Sequence, residues 1–196
     1  MCSSDLTISD LTETREPQLL AGIVSDLRVI NGQRGRVALF KLDDKSGVVE
    51  ARADEALLTS NRQLLKDDEF IVVRGLVKPD RFSGGLQLSV AQVWSLAQAR
   101  CRFGKYLRVH MNSAYGERST DMARLFKIYP PQAEQTEGGE SWQGLGVRVT
   151  AQCHRGQEQA TAELQLDERA RFFPSDAALA SWWALAAPGR AEIVYE

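Results

Sequence analysis

Asp43, Asp44 and Glu50 are the first residues of this 196-residue chain whose types suggest chemistry. Clustered carboxylates hold the Mg²⁺ ions of two-metal phosphoryl-transfer sites. The spacing speaks against that use here. Asp43 and Asp44 are adjacent, so at a strand end their side chains diverge. No third carboxylate is spaced to converge on them. Aspartates at such positions more often accept hydrogen bonds from backbone N–H groups two residues on, which makes a turn. The chain's two histidines, His110 and His154, fall in polar-facing slots of alternating runs and read as surface residues. Cys153 adjoins His154, but neighbours in a strand face opposite ways. No serine or cysteine is placed to form a nucleophile–base pair. The residues therefore assign no catalytic group, no metal ligand and no cofactor to this chain.

Basic and aromatic residues make a second set. Arg34 and Arg36 flank the turn Asn31–Gly35, and Lys41 and Arg52 take outward positions in two alternating runs. Each can neutralise one phosphate, and each then adds to the salt dependence of binding. Ordinary surface charge is the other reading, because Asp43 and Glu50 sit nearby. Arg81 and Phe82 share a loop, where an aromatic beside an arginine suits base stacking. Phe82 folding back as a lid is the alternative. Phe40 shares a face with Ala38 and Leu42 and reads as core. Near the C-terminal end, Phe172, Phe173, Trp182 and Trp183 form a candidate partner surface. The two tryptophans project about 100° apart on a helix, so one can be core while the other sits at the rim. Packing onto a sheet is the competing account of all four.

The elements that position these residues follow from hydrophobic periodicity. Leu19–Asn31 is an apolar strand, long enough that Gly22 suggests a bend. Arg36–Asp43 alternates, with Ala38, Phe40 and Leu42 on one face. Asp44–Gly47 is a turn, and Val48–Ala53 is a third strand. Asp54 caps a predicted helix over 54–66, with Leu57, Leu58, Asn61, Leu64 and Leu65 on one face. Phe70–Pro79 and Leu86–Val93 complete five strands. A helix between the third and fourth of five strands is the order of an OB-fold barrel. Such barrels bind oligonucleotides on the face of strands 2 and 3, framed by the loops between strands 1–2 and 4–5. A short helical connector follows. Leu107–Met111 then alternates, and Met122, Leu125, Phe126 and Tyr129 make a helix stopped by Pro130 and Pro131. The polar stretch Gln132–Gln143 reads as a mobile surface loop. Two further alternating runs, a helix capped by Ser175 and a last strand, Ala191–Tyr195, give the order β-α-β-β-α-β, the ferredoxin-like pattern.

The predicted organisation is a lead-in over 1–16, an OB-fold nucleic-acid-binding domain over 17–96, a connector over 97–104 and a small α+β domain over 105–196. The fold class is a five-stranded OB-fold barrel followed by a βαββαβ-like domain. Met1–Leu6 reads as the translation of a sequencing-library adapter, so the chain is expected to be a truncated reading frame. A formal net charge of −2 gives no global field for nucleic acid, so contact must come from a local patch. No apolar run approaches the ~20 residues of a membrane span. Three dispersed cysteines fit a reducing cytoplasm better than a disulfide framework.

Three stretches carry a family resemblance. LDDKSGVVEARADEALL (42–58), LLKDDEFIVVRGLVKPDRFSGGLQLSVAQVW (64–94) and RFFPSDAALASWWALAAPGRAEIVYE (171–196) resemble the C-terminal region of the bacterial DNA polymerase III alpha subunit. The resemblance runs from about Thr7 to Glu196, and Phe82-Ser83-Gly84-Gly85-Leu86 after a basic strand is its most specific piece. It implies that the OB-fold contacts single-stranded template DNA. It implies that the terminal domain binds the tau subunit of the clamp loader within the polymerase III holoenzyme. It further implies a parent polymerase that is a Mg²⁺-dependent nucleotidyltransferase of the cytoplasm, with its catalytic aspartates upstream of any residue here. The alternative is a free-standing OB-fold module that binds single-stranded DNA or tRNA.

Overall fold

A computed structural model of the chain describes residues 7–32, 35–80, 84–112, 115–136, 139–155 and 158–195. They divide between Leu96 and Ala97 into two compact units. The first unit holds β1 (Gln18–Gly32), β2 (Gly35–Asp43), β3 (Val48–Ala53), α1 (Glu55–Ser60), β4 (Phe70–Pro79) and β5 (Leu86–Ser95). The strands close into a barrel in the order β1-β2-β3-β5-β4, with β4 pairing back onto β1. One contact is parallel: β3 meets β5 through Glu50↔Gln87, Ala51↔Leu88 and Arg52↔Ser89. This is the five-stranded OB-fold barrel that the element order predicts.

The alternating residues explain the core. Ala38, Phe40 and Leu42 of β2, with Val49, Ala51 and Ala53 of β3, are buried in the barrel. Phe40 is core, as its face predicts. Barrel closure brings backbones together most tightly at β4 and β5. A Cβ on Gly75 would lie 2.4 Å from the Ser89 carbonyl oxygen, at the register shift between Arg74 and Gly75. Only glycine fits there. The predicted helix over 54–66 is shorter, stopping at Ser60. Asp54 caps it by accepting from the Leu57 N–H at 2.9 Å. Asn61 then donates its side-chain amide to the Leu57 carbonyl at 3.1 Å, and the chain turns. Leu65 still reaches the core, so the apolar stripe is real although the helix is not continuous.

The opening carboxylates are turn residues. Asp43 accepts from the Lys45 N–H at 2.7 Å. One oxygen of Asp44 accepts from the Ser46 N–H at 2.9 Å, the Ser46 hydroxyl at 2.6 Å and the Gly47 N–H at 3.1 Å. Its other oxygen accepts from the Ile8 N–H at 2.8 Å. The segment predicted as a lead-in is thereby tied to the β2–β3 turn. It forms a 3-10 turn over Ile8–Asp10, and Ile8 and Leu11 join the barrel core. Burial raises the Asp44 carboxyl, but the bonds from Ser46, Ile8 and Gly47 outweigh it and hold it below the usual value of 3.8.

The second unit holds α2 (Leu96–Phe103), β6 (Gly104–Asn112), α3 (Tyr115–Ile128), β7 (Gln132–Thr136), β8 (Gly139–Gln143), β9 (Leu145–Arg155), β10 (Glu158–Gln165), β11 (Arg171–Phe172), α4 (Asp176–Ala186) and β12 (Ala191–Tyr195). The stretch predicted as a connector is α2, which groups with this unit from Ala97 onward. The main sheet runs β10-β9-β6-β12, with β11 on β9. β6 and β9 pair directly and in parallel, from Tyr106↔Gly146 to Asn112↔Gln152. The predicted β-α-β-β-α-β order survives in β6, α3, β9, β10, α4 and β12, with β7, β8 and β11 added. The pairing is not the split arrangement of ferredoxin-like folds, because no strand comes between β6 and β9. Gln132–Gln143, predicted as a loop, is the β7–β8 hairpin, in register from Gln132↔Gln143 to Thr136↔Gly139.

The aromatic set of α4 separates in space. Ser175 caps the helix by accepting from the Ala178 N–H at 3.2 Å. Trp182 and Phe172 are fully buried, so their candidacy as partner surface is corrected. The Trp182 ring centroid lies 5.3 Å from Phe126 and 5.5 Å from Phe172. Phe173 is half-buried. Trp183 is 54% exposed and donates its indole N–H to the Ala191 carbonyl at 2.7 Å.

Two stability measurements check this packing. Trp182→Ala should cost roughly 3–5 kcal/mol in chemical denaturation, and Trp183→Ala no more than about 1.5 kcal/mol. Asp44→Asn should lower stability near neutral pH. The Asp44 carboxyl is depressed in the folded chain, so its contribution is complete above 3.8 and is lost as the pH falls through its lower folded value. Denaturation midpoints of wild type and Asp44→Asn should therefore converge only below about pH 4.

Candidate nucleic-acid interface

The outer faces of β1, β2, β3 and β5 form a groove of about 310 Å³ whose polar lining is Asp26, Arg28, Lys41, Glu50 and Gln87, with Leu39 among its apolar walls. Strand alternation places them. Phe40 and Ala51 turn inward, so Lys41 and Glu50 turn outward, and the register sets those two opposite each other. Asp26 arrives by a different route. The β1–β2 register shifts between Ser25 and Arg28. Asp26 takes φ 54 in that bulge, a left-handed conformation uncommon outside glycine. The loop before β4 pins the bulge from the other side. Val24 donates its N–H to the Glu69 carbonyl, Asp68 donates to the Val24 carbonyl, and Leu27 donates to the Asp67 carboxylate, each at 2.9 Å.

The electrostatics differ from a simple basic stripe. Lys41 Nζ donates to Asp26 Oδ2 at 2.7 Å. That hydrogen bond and the lysine's charge hold the Asp26 carboxyl below its usual range. Arg36 Nε donates to Glu55 Oε1 at 2.9 Å, and the Arg36 backbone N–H donates to Glu55 Oε2 at 3.2 Å. These bonds hold the Glu55 carboxyl low in the same way. Arg52 is exposed on β3 and forms no ion pair among the described residues. Arg34, Arg81 and Phe82 lie outside the described residues. Of the predicted basic set, the structure thus brings Lys41 to the groove, places Arg52 on the same outward-facing side of β3 as Glu50, and holds Arg36 against α1.

Sequence reasoning missed Asp26, Arg28 and Gln87. A faint signal for the first exists, since Ser25-Asp26 interrupts an apolar strand where a bulge belongs. It also missed an aromatic and basic cluster in the second unit. Arg148 lies over the Tyr106 ring, 4.1 Å from its centroid, and Arg108 donates to the Tyr106 hydroxyl at 2.9 Å. His110 Nε2 stands 3.7 Å from the Glu192 carboxylate. Burial pushes the Cys101 thiol up to about 11, which keeps it protonated and unreactive at neutral pH.

Comparison with known proteins agrees with the barrel. Residues 19–96 match the tRNA_anti-codon family model, described as an OB-fold nucleic acid binding domain. The DNA polymerase III subunit alpha of Pseudomonas aeruginosa is 35% identical over 122 residues, which covers 61% of this chain and 10% of that protein. The corresponding subunit of Haemophilus influenzae is 28% identical over 192 residues, covering 96% of this chain and 15% of its own length. The chain therefore spans only a small part of the relatives it matches. Among solved structures, the second OB-fold domain of replication protein A from Methanococcus maripaludis aligns with a TM-score of 0.37 at 19% identity, over 46% of this chain and 93% of that one. In sequence the chain is thus similar to a part of the bacterial DNA polymerase III alpha subunits, and its closed barrel is an OB-fold.

Proposed function

We propose that this chain is an accessory region of a replicative DNA polymerase, in which the barrel guides single-stranded template DNA across the β2–β3 face. The observation that carries the reading is the groove of about 310 Å³ on that face, lined by polar and charged side chains of an OB-fold. OB-folds track single strands with basic grooves and stacking, and this is the face they use. The terminal α+β unit docks the polymerase to the tau subunit of the clamp loader, with Trp183 as an exposed anchor. Nucleotidyl transfer belongs to the rest of the parent subunit, together with its Mg²⁺. The charge balance of the groove supports modest affinity for this chain alone. A free-standing single-strand or tRNA binder is the second reading, favoured by the description of the matched family model.

Fluorescence anisotropy with a labelled single-stranded oligonucleotide, titrated across a salt series, tests the barrel's role. Arg52→Ala should weaken binding and make the slope of log K against log salt shallower by about 0.7, the value for one lost phosphate contact on a single strand. An oligonucleotide that fails to bind at low salt, or a slope unchanged by Arg52→Ala, counts against it. The full chain should show no primer extension with Mg²⁺ and nucleotides. Extension by the purified chain would place the chemistry inside it.

A further inference from the structure

Resting on the reading that the barrel meets single-stranded nucleic acid, we propose that the β1–β2–β3–β5 groove seats a nucleobase with an exocyclic amino group, such as cytosine, rather than a phosphate. The groove is lined by two cationic side chains, Arg28 and Lys41, and two carboxylates, Asp26 and Glu50. A phosphate placed there meets two like charges. It must also displace Asp26 from Lys41, which it binds at 2.7 Å, while Glu50 stands opposite Lys41 in the register. A neutral ring meets neither obstacle. Carboxylates accept hydrogen bonds from the cytosine amino group. The Gln87 amide offers both donors and an acceptor for the rest of a base edge. At about 310 Å³ the groove sits at the small end of ligand pockets.

The presentation of Asp26 is an independent observation. Its backbone is held at φ 54 by a bulge that the 66–69 loop fixes from outside. Backbone strain of this kind persists where surrounding contacts over-determine it, and it gathers at binding sites. It carries the carboxylate to the groove wall, where the phosphate backbone is repelled and a base amino group is accepted. The phosphates then run outside the groove, toward Arg52.

The full chain is titrated by anisotropy with fluorescein-labelled dC12 and dT12 at fixed salt and slightly alkaline pH. Wild type should bind dC12 at least about fivefold more tightly than dT12, the low end of discrimination by a good base contact. Asp26→Asn and Glu50→Gln are near-isosteric, and an amide donates as well as accepts. The combined variant should bind both oligonucleotides more tightly and reduce the dC12 preference to about twofold or less. Equal wild-type binding to dC12 and dT12, a dT12 preference, or a dC12 preference that survives the combined variant overturns the base pocket. In each of those cases the single-strand reading stands. Binding to neither oligonucleotide at low salt overturns the single-strand reading itself. Thermal melts of the variant within a few degrees of wild type confirm that the fold is kept.

Discussion

Closing the barrel is the constraint on which the first unit depends. Five strands must meet edge to edge with no free edge left, and the one parallel contact in that circuit is β3 with β5. That contact decides much else. It needs a crossover between β3 and β4, which α1 and the 61–69 turns supply. Beside it, the β4–β5 pair shifts register at Gly75, where the strands come close enough to demand glycine. The closed circuit also fixes which residues of β2 and β3 turn outward, and so sets Lys41 against Glu50. An open sheet could slip its register by one residue, which exchanges the faces of every side chain. In a closed barrel that slip would have to propagate around every strand.

The surface that results is balanced in charge. Lys41 and Arg36 are each matched by a carboxylate from another element, Asp26 and Glu55. Exposed pairs of this kind contribute little to stability, typically ~0–1 kcal/mol. Their larger effect is on the potential that an incoming strand meets. A face with free lysines and arginines attracts any polyanion from a distance. A paired face attracts weakly and leaves selection to contact geometry. This fits a chain whose net charge is −2.

Local patterns made much of the barrel legible. Period-two alternation marks β2, puts Ala38, Phe40 and Leu42 on one face, and makes Phe40 core. The Asp-Asp-Lys-Ser-Gly turn and the Asp54 and Ser175 caps were equally readable, because capping and turn chemistry act over three residues. What the sequence hid acts at a distance or leaves no period. The Asp26–Lys41 pair spans 15 residues and arises from a bulge. The β7–β8 hairpin is polar apart from the Ala133–Trp142 pair, so no alternation marks it. The direct parallel pairing of β6 with β9 is a choice of strand order, and the same run of elements serves either order. Trp182 and Trp183 showed the helical angle between them but not which one faces inward.

The β2–β3 turn of the barrel carries an unusual burden. Surface turns ordinarily tolerate insertions, because little depends on their backbone. The β2–β3 turn holds Ile8 through Asp44, and Ile8 in turn covers part of the barrel core. A residue inserted between Asp44 and Gly47 would shift the carboxylate off its four donors and release a segment 36 positions earlier in the chain. The length of this turn is therefore set by a contact far from it in sequence.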